Sequence, residues 1–172
     1  MTETFIAVRD FLEMGGQVLN VIAVVIFLMW MLILERITYF QSELKTLKAS
    51  IKSIWNARID KKSWASEALR EKLISEFNMS ANQYLTIIKT LVALCPLLGL
   101  MGTVTGMIEV FDVMAVSGSG NARSMASGVS KATIPTMAGM VGALSGVFLA
   151  TLLTQKVTNE VDILEEELSQ DD

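Results

Sequence analysis

Between Lys89 and Glu109 the chain runs for 19 residues without a charge, and its apolar side chains fall on every face of a helix rather than along one stripe. A segment of that character belongs in lipid. It is nevertheless studded with Gly99, Gly102, Thr103, Thr105 and Gly106, which a helix meant only to dissolve in hydrocarbon does not need. Small residues let a second backbone come close, so this helix is predicted to face protein.

Two further stretches share its length and apolar character. Gln17 to Leu34 gives 18 uncharged residues and Ala132 to Gln155 gives 24, interrupted by Pro135. Each is long enough to cross a hydrocarbon core of roughly 30 Å. Composition agrees: 52% of the 172 residues are hydrophobic and only 19% charged, whereas soluble domains hold roughly 45–50% apolar residues. The expected fold is an all-α membrane protein with three transmembrane helices. Histidine is absent and Cys95 is the only cysteine, which excludes an internal disulfide and a His/Cys metal site. Cys95 reads as a small buried apolar residue.

Outside the spans the helical pattern continues. Phe40, Leu44, Leu47, Ile51 and Ile54 repeat at helical spacing beyond the first span, among Glu43, Lys45 and Lys48, and predict an amphipathic rod emerging from the membrane. The pattern breaks near Asp60, and Ser63 is the expected N-cap of a short helix through Trp64, Leu69, Leu73 and Phe77. The next helix is expected to start in water at about Ala81, to enter the bilayer after Lys89 and to bend at Pro96. Val116 to Ser124 is a turn by its glycines, serines and asparagine. After Lys156 the stripe Val157, Val161, Leu164 and Leu168 outlasts the membrane, and the closing EEELSQDD is expected to be solvated or frayed. Met1 to Gly16 lacks a basic n-region and an A-x-A site, so it is not expected to act as a signal peptide. Phe5, Val8 and Leu12 share a face away from Arg9, Asp10 and Glu13, as in a helix lying in the interface, with a frayed terminus as the alternative.

Lysine and arginine give the orientation. The segment from Arg36 to Lys89 carries ten of them, with Lys156 on the same side, against Arg9, Arg123 and Lys131 opposite. The positive-inside rule then makes the middle segment and C-terminus cytoplasmic, and the N-terminus and the turn periplasmic. The expected order is an outward interfacial helix over 1–16, spans at 17–36, 90–114 and 126–155, a cytoplasmic helical segment over 37–89, a turn over 115–125 and a cytoplasmic tail over 156–172.

The second and third spans carry the pattern that bears on function. Gly99, Thr103 and Gly106 line one face of the second; Ala132, Thr136, Gly139, Ala143, Gly146, Ala150 and Thr154 line one face of the third. The glycines and alanines, Gly102 included, read as packing seams. A seam needs smallness, not hydroxyls, so the threonines ask for another reason. Glu109 and Lys131 lie ten and twelve residues from Ser119 in the turn, nearly level at about 1.5 Å per residue, and are expected to pair. Thr103 is six residues deeper than Glu109 and Thr136 five deeper than Lys131, so both hydroxyls are expected near mid-membrane. A hydroxyl can solvate a proton path but cannot hold the charge, a task that falls to Asp, Glu or His. No such residue lies mid-span, so a titrating carboxylate must come from another chain.

The run GLMGTVTGMIEVF, Gly99 to Phe111, followed by a polar turn and by GVSKATIPTMAGMVGALSG, Gly128 to Gly146, resembles the ExbB/TolQ/MotA group of ion-driven motor proteins, most closely the short ExbB type of TonB systems. The resemblance spans all three membrane helices. It implies a homopentamer whose second and third helices surround a central pore holding the single transmembrane helices of an ExbD-like partner, whose aspartate carries the proton. It also implies coupling to a TonB-like protein in the inner membrane, protons as the driving ion, and no other cofactor or nucleic acid. The family's pore threonines fall on Thr103 and Thr136. Family members commonly have glutamate in place of Lys131 and often a neutral polar residue in place of Glu109, an exchange of charge that fits a structural pair.

Three alternatives stay open: a TolQ-like role, a flagellar stator-like role, and a non-conducting membrane scaffold. An enzyme is not expected, since there is no histidine, nucleophile elbow or phosphate loop.

Overall fold

The computed structural model describes residues 2–58, 63–117 and 122–169, and these form four helices: α1 Thr2–Asn56, α2 Trp64–Asn82, α3 Leu85–Ser117 and α4 Ala122–Glu167. Three stretches, Gly15–Asn56, Trp64–Val116 and Met125–Glu167, contain segments long and apolar enough to cross a membrane. The protein is thus an all-helical, multi-pass membrane protein. Large apolar side chains point outward, among them Phe27 at 68%, Leu97 at 63% and Leu144 at 73% exposure, an arrangement suited to lipid or to another protein surface and not to water.

Contacts divide the chain into two units. The first comprises Met1–Trp30 and Lys89–Val147. Within it, Leu19, Ile22 and Met29 of α1 are buried, as are Val92, Cys95 and Val110 of α3 and Ala132, Pro135 and Ala143 of α4. α1 changes direction at Gly16, whose φ of 67° and ψ of −161° lie outside the helical region. A positive φ is open to glycine at little steric cost, so the Gly15-Gly16 pair is where the expected interfacial segment can turn into the span. The side chains of Phe5, Val8 and Leu12 lie outside the described part of α1. α3 and α4 run on through Pro96 and Pro135. Buried Cys95 donates its thiol to the Leu91 carbonyl at 3.3 Å.

The second unit comprises Met31–Ile88 and Phe148–Asp172. Here the α1 residues Ile33, Phe40, Leu44, Ile51 and Trp55, spaced at three- and four-residue multiples, are buried with Leu73, Phe77 and Ala81 of α2, Leu85 and Ile88 of α3, and Leu153, Val157, Leu164 and Leu168 of α4. The amphipathic continuation of the first span therefore has its apolar stripe covered. Ser63 precedes α2 as expected, yet its side chain caps nothing; its carbonyl accepts from the Ser66 and Glu67 amides at 2.9 and 3.2 Å.

The α2–α3 joint falls later than expected, at Gln83 and Tyr84 instead of Ala81. Tyr84 has φ 63°, a costly conformation for a bulky residue. Arg36, 1% exposed, lies between two rings, 4.8 Å from that of Tyr39 and 5.1 Å from that of Tyr84, and its Nη1 reaches the Ser80 carbonyl at 3.4 Å. Its Nε and Nη2 make no hydrogen bond. The aromatic faces are what offset the burial of this charge, by roughly 2 kcal/mol for a desolvated cation–π contact.

The first residues of the acidic tail are tied to the bundle, while the side chains of Glu165 and Glu166 stay exposed. Glu167 lies 2.8 Å from Lys52 and 3.5 Å from Lys48; Lys48 also meets Glu160 at 3.4 Å, and Arg70 donates to the Glu165 carbonyl at 3.0 Å. The hydrogen bond from Lys52 holds the Glu167 carboxyl below its ordinary value of 4.5, with the charges of Lys48 and Lys52 adding to it and burial opposing. A depressed folded-state pKa contributes stability above the unfolded value and loses it as pH falls through the folded value. Thermal stability in detergent should therefore decline below pH 4.5. Glu167→Gln should flatten that decline, which a pH series of melting curves checks. The effect is small, because the pair is partly solvated.

Candidate functional site

The seam between α3 and α4 in the first unit is built by residues too small to hold the helices apart. A Cβ on Gly139 would stand 2.5 Å from the Cys95 carbonyl oxygen, one on Gly99 2.9 Å from the Thr136 Cα, and one on Gly106 2.7 Å from the Ala132 Cα. Gly102 seats the Pro135 ring, where a Cβ would meet the proline Cβ at 2.5 Å, and it also approaches Val18 of α1. Gly146 faces Met29 of α1 and Val92 of α3, and Ala143 is buried. At Gly99, Gly106 and Gly139 the obstacle is backbone. At Gly146 it is side-chain ends.

These contacts step down the two helices in antiparallel register. Nearest the α3–α4 connection, Lys131 Nζ lies 2.8 Å from Glu109 Oε2. Then come Gly106 with Ala132, Gly102 with Pro135, Gly99 with Thr136 and Cys95 with Gly139. Thr136 donates its hydroxyl to the Gly99 carbonyl at 2.8 Å, a bond between the two helices. Thr103, four residues along α3 from Gly99, donates to the Leu100 carbonyl of its own helix at 2.7 Å. The two hydroxyls thus lie within about one helical turn of the same level. Both side chains are half-buried. Residues 118–121 of the expected turn lie outside the described residues.

The hydroxyl protons are already committed to carbonyls, which leaves only lone pairs facing outward. Such oxygens accept hydrogen bonds or coordinate a cation but offer no donor to an anion. Thr105 is in the same state, donating to the Met101 and Gly102 carbonyls at 3.1 Å each. The three hydroxyls are therefore polarised in one sense, as acceptors. Among the described residues no group of three or more His, Cys, Asp or Glu side chains is placed to hold a metal.

Two contributions to this region are not visible in the sequence pattern. Thr136's acceptor is a backbone carbonyl, which any residue supplies, so no motif marks it. Gly15, Gly16, Gln17 and Val18 of α1 line a cavity together with Glu109 and Lys131. The adjacent glycines were the only available sign of that approach.

The sequence profile of the MotA/TolQ/ExbB proton channel family matches residues 38–166. The biopolymer transport protein ExbB-like 1 of Synechocystis sp. is 38% identical over 79 residues, which cover 44% of this chain and 31% of that protein. ExbB-like 3 of the same organism is 28% identical over 87 residues, 49% of this chain and 41% of that protein. An ExbB homolog of Methanothermobacter thermautotrophicus is 28% identical over 104 residues, 60% and 36% of the two chains. The matched stretch thus spans between about a third and two fifths of the length of these relatives.

Proposed function

The chain belongs to the MotA/TolQ/ExbB proton channel family, and from that premise we propose that it is the pore-forming scaffold subunit of an inner-membrane transducer of the proton-motive force. In this reading five copies surround a pore, with α3 and α4 as its wall and Thr103 and Thr136 on the proton's path. An ExbD-like single-pass protein supplies the titrating carboxylate, and a TonB-like protein carries the work to the outer membrane. The N-terminus and the α3–α4 connection face the periplasm, and the C-terminus faces the cytoplasm, as the lysine and arginine count favours.

The observation that carries this reading is the combination at mid-span. Two hydroxyl oxygens within about a turn of one level have their protons tied to carbonyls, while the uncharged runs 17–34, 90–108 and 132–155 hold no carboxylate. The wall can solvate a proton without holding it. That division of labour supports a subunit that needs a partner to conduct. The tight glycine seam equally supports a purely architectural role, as in a non-conducting scaffold, and a TolQ-like or flagellar stator-like motor would use the same helices.

Reconstitution separates these readings. The protein is purified with whatever single-pass chain accompanies it, and proton flux into liposomes is measured with and without that chain. Flux is expected only with the partner present. Equal flux from this chain alone would sink the proposal, and no flux under either condition would favour the scaffold. The identity of the co-purifying chain decides among the ExbD-, TolR- and stator-type alternatives.

A further inference from the structure

Two cavities meet at the Glu109–Lys131 pair. The one nearer the α3–α4 connection, about 250 Å³, is lined by Val110, Val113 and Met114 of α3 and Met125, Ser127 and Gly128 of α4. The other, about 330 Å³, reaches Gly102 and Thr105 of α3, with Gly15 to Val18 of α1 as its far wall. Gly106, Glu109 and Lys131 line both. The pair thus lies where an outer space and a deeper one share a wall.

Each cavity has room for several waters at roughly 30 Å³ apiece, and the deeper one offers a carboxylate, an ammonium, a hydroxyl and the Gln17 amide to hold them. Charges within a membrane span normally pair or line an aqueous cavity, and these two do both. We propose that Glu109 and Lys131 form the latch of a water-filled inlet that brings hydronium from the periplasmic end of the protomer down to the depth of Thr105. The inlet rests on the orientation and proton-conducting role proposed above. The latch is weak, since side chains 61% and 43% exposed gain little from pairing in a hydrated setting. Both are long enough to swing apart. Gly16 stands behind the lysine, where a Cβ would lie 3.6 Å from Lys131 Cε, so the turn of α1 limits how far the ammonium can retreat. Below the deeper cavity, Gly102 is followed one turn on by Gly99, whose carbonyl Thr136 engages. The inlet therefore ends about one helical turn short of the Gly99 carbonyl that Thr136 engages.

Cysteine accessibility tests it in the assembled complex, in whole cells, on a Cys95→Ala background. A membrane-impermeant, positively charged methanethiosulfonate is added from the periplasmic side to proteins carrying Val113→Cys, Thr105→Cys or, as a control in neither cavity, Val104→Cys. Val113→Cys should react quickly, Thr105→Cys slowly and Val104→Cys hardly at all. Adding Glu109→Gln or Lys131→Met should speed reaction at Thr105→Cys by up to about fivefold, as expected when a weak pair that favours the closed state is removed. Reaction at Val113→Cys should not change. Reversing both charges, Glu109→Lys with Lys131→Glu, should restore the slow rate. An unreactive Thr105→Cys in every background would remove the inlet, and one equally reactive with and without the pair would remove the latch. Water access is read independently of transport: if Thr136→Val leaves transport intact while the labelling pattern holds, the proton-path reading fails and the inlet survives.

Discussion

Replacing Thr136 with valine is expected to reduce proton-driven transport by the assembled complex to background, while the complex keeps its size and nearly its melting temperature. Valine is close to isosteric, so the Gly99–Thr136 contact survives as packing. What disappears is one interhelical hydrogen bond to the Gly99 carbonyl. In membrane helix pairs such a bond is worth about 0.6 kcal/mol, too little to dismantle a three-span bundle. The Gly99 carbonyl sits mid-helix in α3 and keeps its own-helix partner. The chemical loss is larger, because the oxygen that would accept from hydronium is gone and a methyl group stands in its place. Size-exclusion chromatography with a thermal melt gives assembly, and uptake driven by the proton gradient gives transport. Loss of both together would make Thr136 architectural, and retention of both would take it off the path.

Gly139→Leu should have the opposite signature, with assembly lost first and transport only as a consequence. A Cβ at this position meets the Cys95 carbonyl oxygen at 2.5 Å and the Gly99 Cα at 3.3 Å, and neither can rotate away. Overpacking of a tight core costs roughly 1–3 kcal/mol, and a backbone obstacle puts this substitution at or above the upper end, a shift of about a hundredfold in the folded fraction. Gly146→Ala is the matched control. Its added methyl meets the Met29 sulfur at 2.5 Å and a Val92 methyl at 2.6 Å, side-chain ends of which the methionine can move. A melt in detergent should rank parent, Gly146→Ala and Gly139→Leu in falling order. Equal stability of the two variants would mean that the α3–α4 seam has more slack than its geometry implies.

Legibility in the sequence followed how local each cause is. The spans were visible because hydropathy sums along a segment regardless of its neighbours, and α3 crosses the uncharged run after Lys89 without a break through Pro96. Glu109 and Lys131 could be placed opposite each other because counting residues back from a short connection fixes depth on two antiparallel helices. The α2–α3 joint was misplaced by a few residues for a matching reason: Tyr84 adopts its φ of 63° in contact with Arg36, a residue 48 positions away, and no local propensity puts a tyrosine there. The charge of the tail predicts solvation, and Glu165 and Glu166 are exposed, but nothing local marks Glu167 as the residue that meets Lys48 and Lys52 across more than a hundred residues of chain.

By itself the sequence determined three membrane-spanning helices, their order, the small-residue faces that let two of them close, and the lack of a mid-span carboxylate. All of these are properties of composition and period along a single helix. Only the tertiary structure decided which carbonyl receives the Thr136 proton, which wall stands behind Lys131, and that the two charges line two cavities at once. Those outcomes depend on where the backbone of a distant segment lies, and a backbone carbonyl or a glycine turn leaves no side-chain signature to be read in advance.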